Sequence, residues 1–269
     1  MRTRILWKRN CNISLNHSKE VSETVELEGV SFIQKGKGRD LVFLHGYLSS
    51  KEAFAAQIAY FSKFYRVTAL DFIGQGASAP LQTPFSVEDY AIWTEQVFTL
   101  LGIRNPSVIA HSFGCRVLIK MAKRGRQGFD KLILTGPAGV ILPRGLRYRC
   151  RVGAYRLVKK FAPRFADTHF GSREYKTLSP IMRESYKKIV NEDLRADAAQ
   201  IHNPICIIEG RSDRTTPMRA AKAYLAVMQN ARLQRMEGGH FAFAENPLVF
   251  NLLVEEFLEN VGTEHDLDI

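Results

Sequence analysis

Five short stretches of this chain are almost wholly apolar and end abruptly: "DLVFLHG", "YRVTALD", "SVIAHS", "KLILTG" and "PICIIEG". A strand with one wet face alternates apolar and polar residues. Runs without that alternation read as strands buried on both faces, as in a parallel sheet. Segments with apolar residues at helical spacing lie between them. Residues 51–63 carry Phe54, Ile58 and Phe61 on one side. Residues 86–101 read as a helix capped by Ser86, with Glu88 and Asp89 in the first turn, where the helix dipole favours acids. Helices are expected also over 113–123, over 217–228 with a proline at its start, and over 246–260 as an amphipathic closing element. "ARLQRME" reads as a weaker strand, and "TVELEGV" with "SFIQKG" as a hairpin that bends near Glu28 and Gly29. Strand-helix alternation with short connections predicts an α/β fold, a mostly parallel, doubly wound sheet with helices on both faces.

The alternation stops after "KLILTG". From 137 to about 200 the pattern is helical and charged, with no strand of comparable quality, and "PICIIEG" then resumes the sheet. A chain of 269 residues suits one large domain with an insertion. The expected division is an N-terminal arm (1–22), a core in two pieces (23–136 and 201–262), an inserted helical cap (137–200) over one edge of the sheet, and a C-terminal tail (263–269).

Charge is concentrated in the insertion. The chain carries a formal +11, and residues 137–200 hold fourteen basic against six acidic side chains. Such a surface could attract an anionic substrate or an acidic partner, but reads first as a solvated face. A nucleic-acid partner is not expected, since no binding motif or aromatic platform accompanies the charge. Cys11, Cys115, Cys150 and Cys206 form no CxxC pair and no zinc-like spacing, and Cys115 and Cys206 sit in apolar runs. At the basic N-terminus only Ile5, Leu6 and Trp7 form an apolar run, too short for a signal-peptide core. No apolar stretch of about 18 residues occurs, so no membrane span is expected. A reducing, cytoplasmic setting follows as the simplest expectation. The sequence carries no determinant of oligomeric state.

In open α/β sheets, ligands bind beyond the carboxyl ends of the strands. Four such ends carry unusual residues: His45-Gly46 after "LVFL", Ser112 after "VIAH", Asp213 after "ICIIEG", and His240 after "LQRMEGG". A serine hydroxyl is a weak nucleophile at neutral pH and needs a base beside it, and an imidazole titrates near that pH. A carboxylate can hold the imidazole in one tautomer and stabilise its charged form. Ser112, Asp213 and His240 are one residue of each type, each at a strand end.

Their order resembles that of the α/β-hydrolase superfamily, Ser…Asp/Glu…His. The resemblance spans residues 25–261 and rests on five motifs in sequence: "HGY", "DFIGQGAS", "AHSFG", "EGRSDRTTP" and "EGGHF". Ala110 stands where the nucleophile turn most often has glycine. The resemblance implies a catalytic triad of Ser112, Asp213 and His240. It implies an oxyanion hole made by the backbone N–H groups of Tyr47 and Phe113. His45, Gly46, His111 and Gly114 would be structural or would line the pocket, Asp71 would organise the loop it begins, and the inserted cap would shape the pocket. Neither a cofactor nor a metal is implied. The expected activity is hydrolysis of a small carboxylic ester or related acyl substrate through an acyl-enzyme on Ser112. Two alternatives share the scaffold. One is a carbon-carbon bond hydrolase or an elimination enzyme of the menaquinone-pathway type, which also has an arginine four residues after the serine, as Arg116 is here. The other is a receptor-like, ligand-binding homologue. Epoxide hydrolases and haloalkane dehalogenases need aspartate where Ser112 stands.

Overall fold

The structure is a computed structural model and describes residues 27–126, 128–143 and 178–259. Seven strands form one sheet: β1 (Phe32–Lys35), β2 (Asp40–Leu44), β3 (Arg66–Leu70), β4 (Ser107–His111), β5 (Leu132–Thr135), β6 (Ile205–Gly210) and β7 (Ala231–Met236). Their spatial order is β1-β3-β2-β4-β5-β6-β7; β1 runs antiparallel to β3 and every other pairing is parallel. The bend expected at Glu28 and Gly29 is present, closed by a Leu27–Val30 bridge. The strand after it joins the sheet edge beside β3, and residues 24–26 of the expected hairpin lie outside the described residues.

The helices are α1 (Ala55–Phe61), α2 (Val87–Leu100), α3 (Phe113–Arg124), α4 (Pro180–Val190), α5 (Arg195–Ala198), α6 (Met218–Leu225), α7 (Ala242–Glu245) and α8 (Pro247–Glu259). Each central strand feeds two cores. Val42 and Leu44, Val108 and Ala110, and Ile205 and Ile207 pack beneath α2, α3 and α6. Leu41 and Phe43, Ile109, and Cys206 and Ile208 pack against α1, α7 and α8. This two-sided burial is why the strands read as continuous apolar runs.

Local chemistry sets two helix starts. Ser86 accepts from the Asp89 N–H while the Asp89 carboxylate accepts from the Ser86 N–H, a reciprocal cap on α2. The helix expected over 51–63 is instead a 3-10 turn, Lys51–Phe54, followed by α1. There Asp71 accepts from the Lys51 N–H at 2.7 Å and from its ammonium at 2.8 Å, a tertiary tie that holds the first turn to the loop after β3.

The insertion leaves the sheet after β5 and returns at β6, two strands that lie side by side. Residues 144–177, which include the basic segment "RGLRYRCRVGAYRLVKKFAPRF", lie outside the described residues. The described part, α4 and α5, is fastened to α3. Arg116 Nη1 donates to the carbonyls of Ile189 at 2.8 Å and Glu192 at 2.9 Å. Lys120 pairs with Glu192 and Asp197, and Lys123 with Asp197, each at 2.6 Å.

Candidate active site

Ser112 joins β4 directly to α3, with no loop between. Its backbone has φ 49° and ψ −103°, a left-handed conformation that costs a non-glycine residue about 1–3 kcal/mol. The strain turns the hydroxyl away from the strand, beyond the carboxyl end of the sheet. The close approach of α3 to β2 demands the glycine two residues on. A Cβ at position 114 would lie 2.3 Å from the Leu44 carbonyl oxygen and 2.9 Å from that of His45. Gly46 is constrained from the other side, since a Cβ there would stand 2.8 Å from His111 Nδ1 and 3.6 Å from Ser112 Cβ. The turn after β2 therefore passes directly over Ser112.

The loops after β6 and β7 bring the other two side chains to the serine. His240 Nε2 lies 3.0 Å from Ser112 Oγ, and its Nδ1 lies 2.7 Å from Asp213 Oδ2. Asp213 is an acceptor only, so Nδ1 carries the proton and Nε2 presents its lone pair to the serine hydroxyl. Asp213 is buried and accepts three further hydrogen bonds: from the backbone N–H groups of Thr215 at 2.7 Å and Thr216 at 3.0 Å, and from the Thr216 hydroxyl at 2.9 Å. Burial by itself would raise its pKa. The bonds from His240 and Thr216 outweigh burial and hold it at about 2. Asp213 is thus both the turn residue ahead of α6 and the partner of His240.

The turn carrying Tyr47 is rigidly built. His45 Nδ1 donates to the Gly46 carbonyl at 2.7 Å and its Nε2 accepts from the Phe72 N–H at 3.1 Å. Desolvation lowers the His45 pKa, in keeping with a neutral ring. Gln75 Oε1 accepts from the Leu48 N–H at 2.8 Å. Asp71 begins the "DFIGQGAS" loop and accepts from the Ala77 N–H as well as from Lys51. Among the described residues no acceptor takes the backbone N–H of Tyr47 or of Phe113. The Tyr47 ring lies 5.4 Å from that of Phe113 and 5.5 Å from Tyr186 on α4, and its hydroxyl donates to the Met182 carbonyl at 3.2 Å.

His111 is fully buried. Its Nε2 donates to the His240 carbonyl at 2.9 Å, and its ring lies 4.7 Å from the His240 ring. Burial, reinforced by His240, lowers its pKa to about 3, so it packs as a neutral ring. The buried Arg116 has its Nη1 held by the carbonyls of Ile189 and Glu192, at and just beyond the end of α4.

Two contributors were not anticipated from sequence. Gln75 braces the turn beyond Tyr47, and only its place inside "DFIGQGAS" could have pointed to it. Glu209 is a wholly buried acid near the end of β6, beside Asp213, and its sole signal was a charge inside an otherwise apolar strand. Among the described residues no three His, Cys, Asp or Glu side chains gather as a metal site, and no helix is long and apolar enough to cross a membrane.

Residues 41–251 match the sequence profile of the alpha/beta hydrolase family. This chain belongs to that family. Its similarity extends to "AB hydrolase superfamily protein YisY" of Bacillus subtilis, 27% identical over 82% of this chain and 92% of the relative. It also extends to 2-hydroxymuconate semialdehyde hydrolase of Pseudomonas putida, 27% identical over 76% of this chain and 80% of that protein. Among solved structures, the esterase EaEST from Exiguobacterium antarcticum superposes with a TM-score of 0.70 at 20% identity, covering 86% of this chain and 96% of the esterase, a likeness of fold. In this alpha/beta hydrolase, Ser112, His240 and Asp213 form one hydrogen-bonded chain beyond the carboxyl end of the sheet.

Proposed function

We propose that this protein is a serine hydrolase that cleaves small carboxylic esters or related acyl compounds through an acyl-enzyme on Ser112. The observation that carries the reading is the His240 imidazole, 3.0 Å from Ser112 Oγ on one side and 2.7 Å from Asp213 on the other. In the first half-reaction Ser112 Oγ attacks the acyl carbon while His240 Nε2 takes its proton. Asp213, ionised down to about pH 2, stabilises the imidazolium. The oxyanion accepts from the N–H groups of Tyr47 and Phe113, each worth about 3 kcal/mol to the transition state. Collapse breaks the bond to the alcohol, which leaves with the His240 proton. A water then gives a proton to His240 and attacks the acyl carbon, and Ser112 is released with its proton restored.

Residues 137–200 act in this proposal as the cap over a core of 23–136 and 201–262. The contact of α4 with Tyr47 supports that role. The substrate is a small molecule, and the setting is reducing and cytoplasmic, which the buried, unpaired Cys115 and Cys206 suit.

The test is covalent labelling of the folded protein with a fluorophosphonate, followed by peptide mass spectrometry and by turnover of p-nitrophenyl esters of increasing chain length. An adduct on Ser112, and ester turnover lost in Ser112→Ala, are expected; an unlabelled Ser112 sinks the reading. The match to 2-hydroxymuconate semialdehyde hydrolase favours a second reading, carbon-carbon bond hydrolysis by the same three residues. Turnover of 2-hydroxymuconate semialdehyde without turnover of any ester would select it.

A further inference from the structure

Glu209, the penultimate residue of β6, has none of its surface exposed, and neither of its carboxyl oxygens finds a hydrogen-bond donor among the described residues. A buried carboxylate without donors or a countercharge is among the costliest groups a core can hold. The titratable and charged groups around it offer little relief. Asp213, on the loop that follows β6, is the acid it lies against, and Cys115 of α3 is a second neighbour. Arg235 stands opposite in the β7 register, but its side chain is exposed and no ion pair joins the two among the described residues. Arg116 is committed to Ile189 and Glu192, and the Tyr224 hydroxyl of α6 to the Ala138 carbonyl. His240 binds Asp213 rather than Glu209.

Two adjacent carboxylates can only repel, because both are acceptors. One proton between them turns the contact into a hydrogen bond. Asp213 already holds four donors that favour its charge, so the proton belongs to Glu209. We propose that Glu209 is a positioning residue for the hydrolytic centre, carrying a proton at neutral pH and donating it to Asp213, the carboxylate that orients His240. Desolvation first, and the Asp213 charge second, push the Glu209 pKa up to about 9, which agrees with this assignment.

The inference rests on the serine-hydrolase reading for its catalytic consequence, so the experiment carries a readout independent of turnover. Infrared difference spectra of the full chain at neutral pH, wild type against Glu209→Gln, are expected to show a protonated-carboxyl band lost in the variant. Its absence overturns the proposal. The second arm is the pH profile of kcat/KM on p-nitrophenyl acetate for wild type, Glu209→Gln and Glu209→Leu. Wild type is expected to lose activity on an alkaline limb near pH 9, as the ionised Glu209 repels Asp213. Glu209→Gln, which keeps an N–H donor, retains neutral-pH activity within about twofold and loses that limb; Glu209→Leu, with no donor, loses about tenfold in kcat with little change in KM. A limb unchanged in Glu209→Gln, or Gln and Leu variants equal in kcat, also overturns it. A carboxyl band with no Ser112-dependent turnover supports the protonated Glu209 and instead rejects the hydrolase reading.

Discussion

The strained serine makes an unusual stability prediction. Replacing Ser112 with alanine or with glycine removes the same hydroxyl and the same 3.0 Å contact to His240, so those losses cancel between the variants. The backbone term remains. At φ 49° and ψ −103° alanine keeps the steric cost of about 1–3 kcal/mol, whereas glycine sheds it. Glycine also gains freedom in the unfolded chain, which costs it about 0.4–1 kcal/mol. The balance favours Ser112→Gly over Ser112→Ala by about 1 kcal/mol, the reverse of the usual order of these residues within strands and helices. Urea unfolding followed by circular dichroism reads the difference, with equal slopes required for a clean comparison. Both variants are expected to lack ester turnover, so the stability difference between them is independent of activity. If Ser112→Ala proves as stable as Ser112→Gly or more so, the turn is relaxed in solution and the argument from its dihedrals fails.

Two further substitutions probe what surrounds the serine. Gly114→Ala would push a methyl to 2.3 Å from the Leu44 carbonyl oxygen, backbone against side chain, and is expected to cost about 3 kcal/mol in urea unfolding and to displace the Tyr47 turn with loss of activity. Arg116→Ala strips two charge-assisted hydrogen bonds from the end of α4; a loss of about 3 kcal/mol is expected, with faster hydrogen exchange of the α4 amides while α2 stays protected.

The sheet was legible because its physics is local to each strand. Leu41 to Leu44 and Ile205 to Ile208 face apolar side chains above and below, and no polar residue could sit there without losing its hydrogen bonds. Where a distant partner intervenes, legibility ends. Periodicity placed one helix over 51–63, but the Asp71 carboxylate, twenty positions away, takes the Lys51 N–H and reshapes the first turn. Likewise, nothing in the sequence signals that Arg116 bonds two main-chain carbonyls at and just past the end of another helix. Side-chain type does not encode such carbonyl positions.

The same distinction runs through the candidate site. Ser112, Asp213 and His240 could be read from sequence because each stands at the end of a recognisable strand, and a parallel sheet gathers such ends. Glu209 could not, although it is one residue from the same end of β6. Its protonation depends on burial beside Cys115 of α3, on Arg235 being exposed, and on Asp213 having already recruited its donors from Thr215, Thr216 and His240. Each of those conditions belongs to a different element. The environment that would make a glutamate neutral exists only once all of them have packed, so the side chain that most depends on the assembled fold leaves the least trace in the sequence.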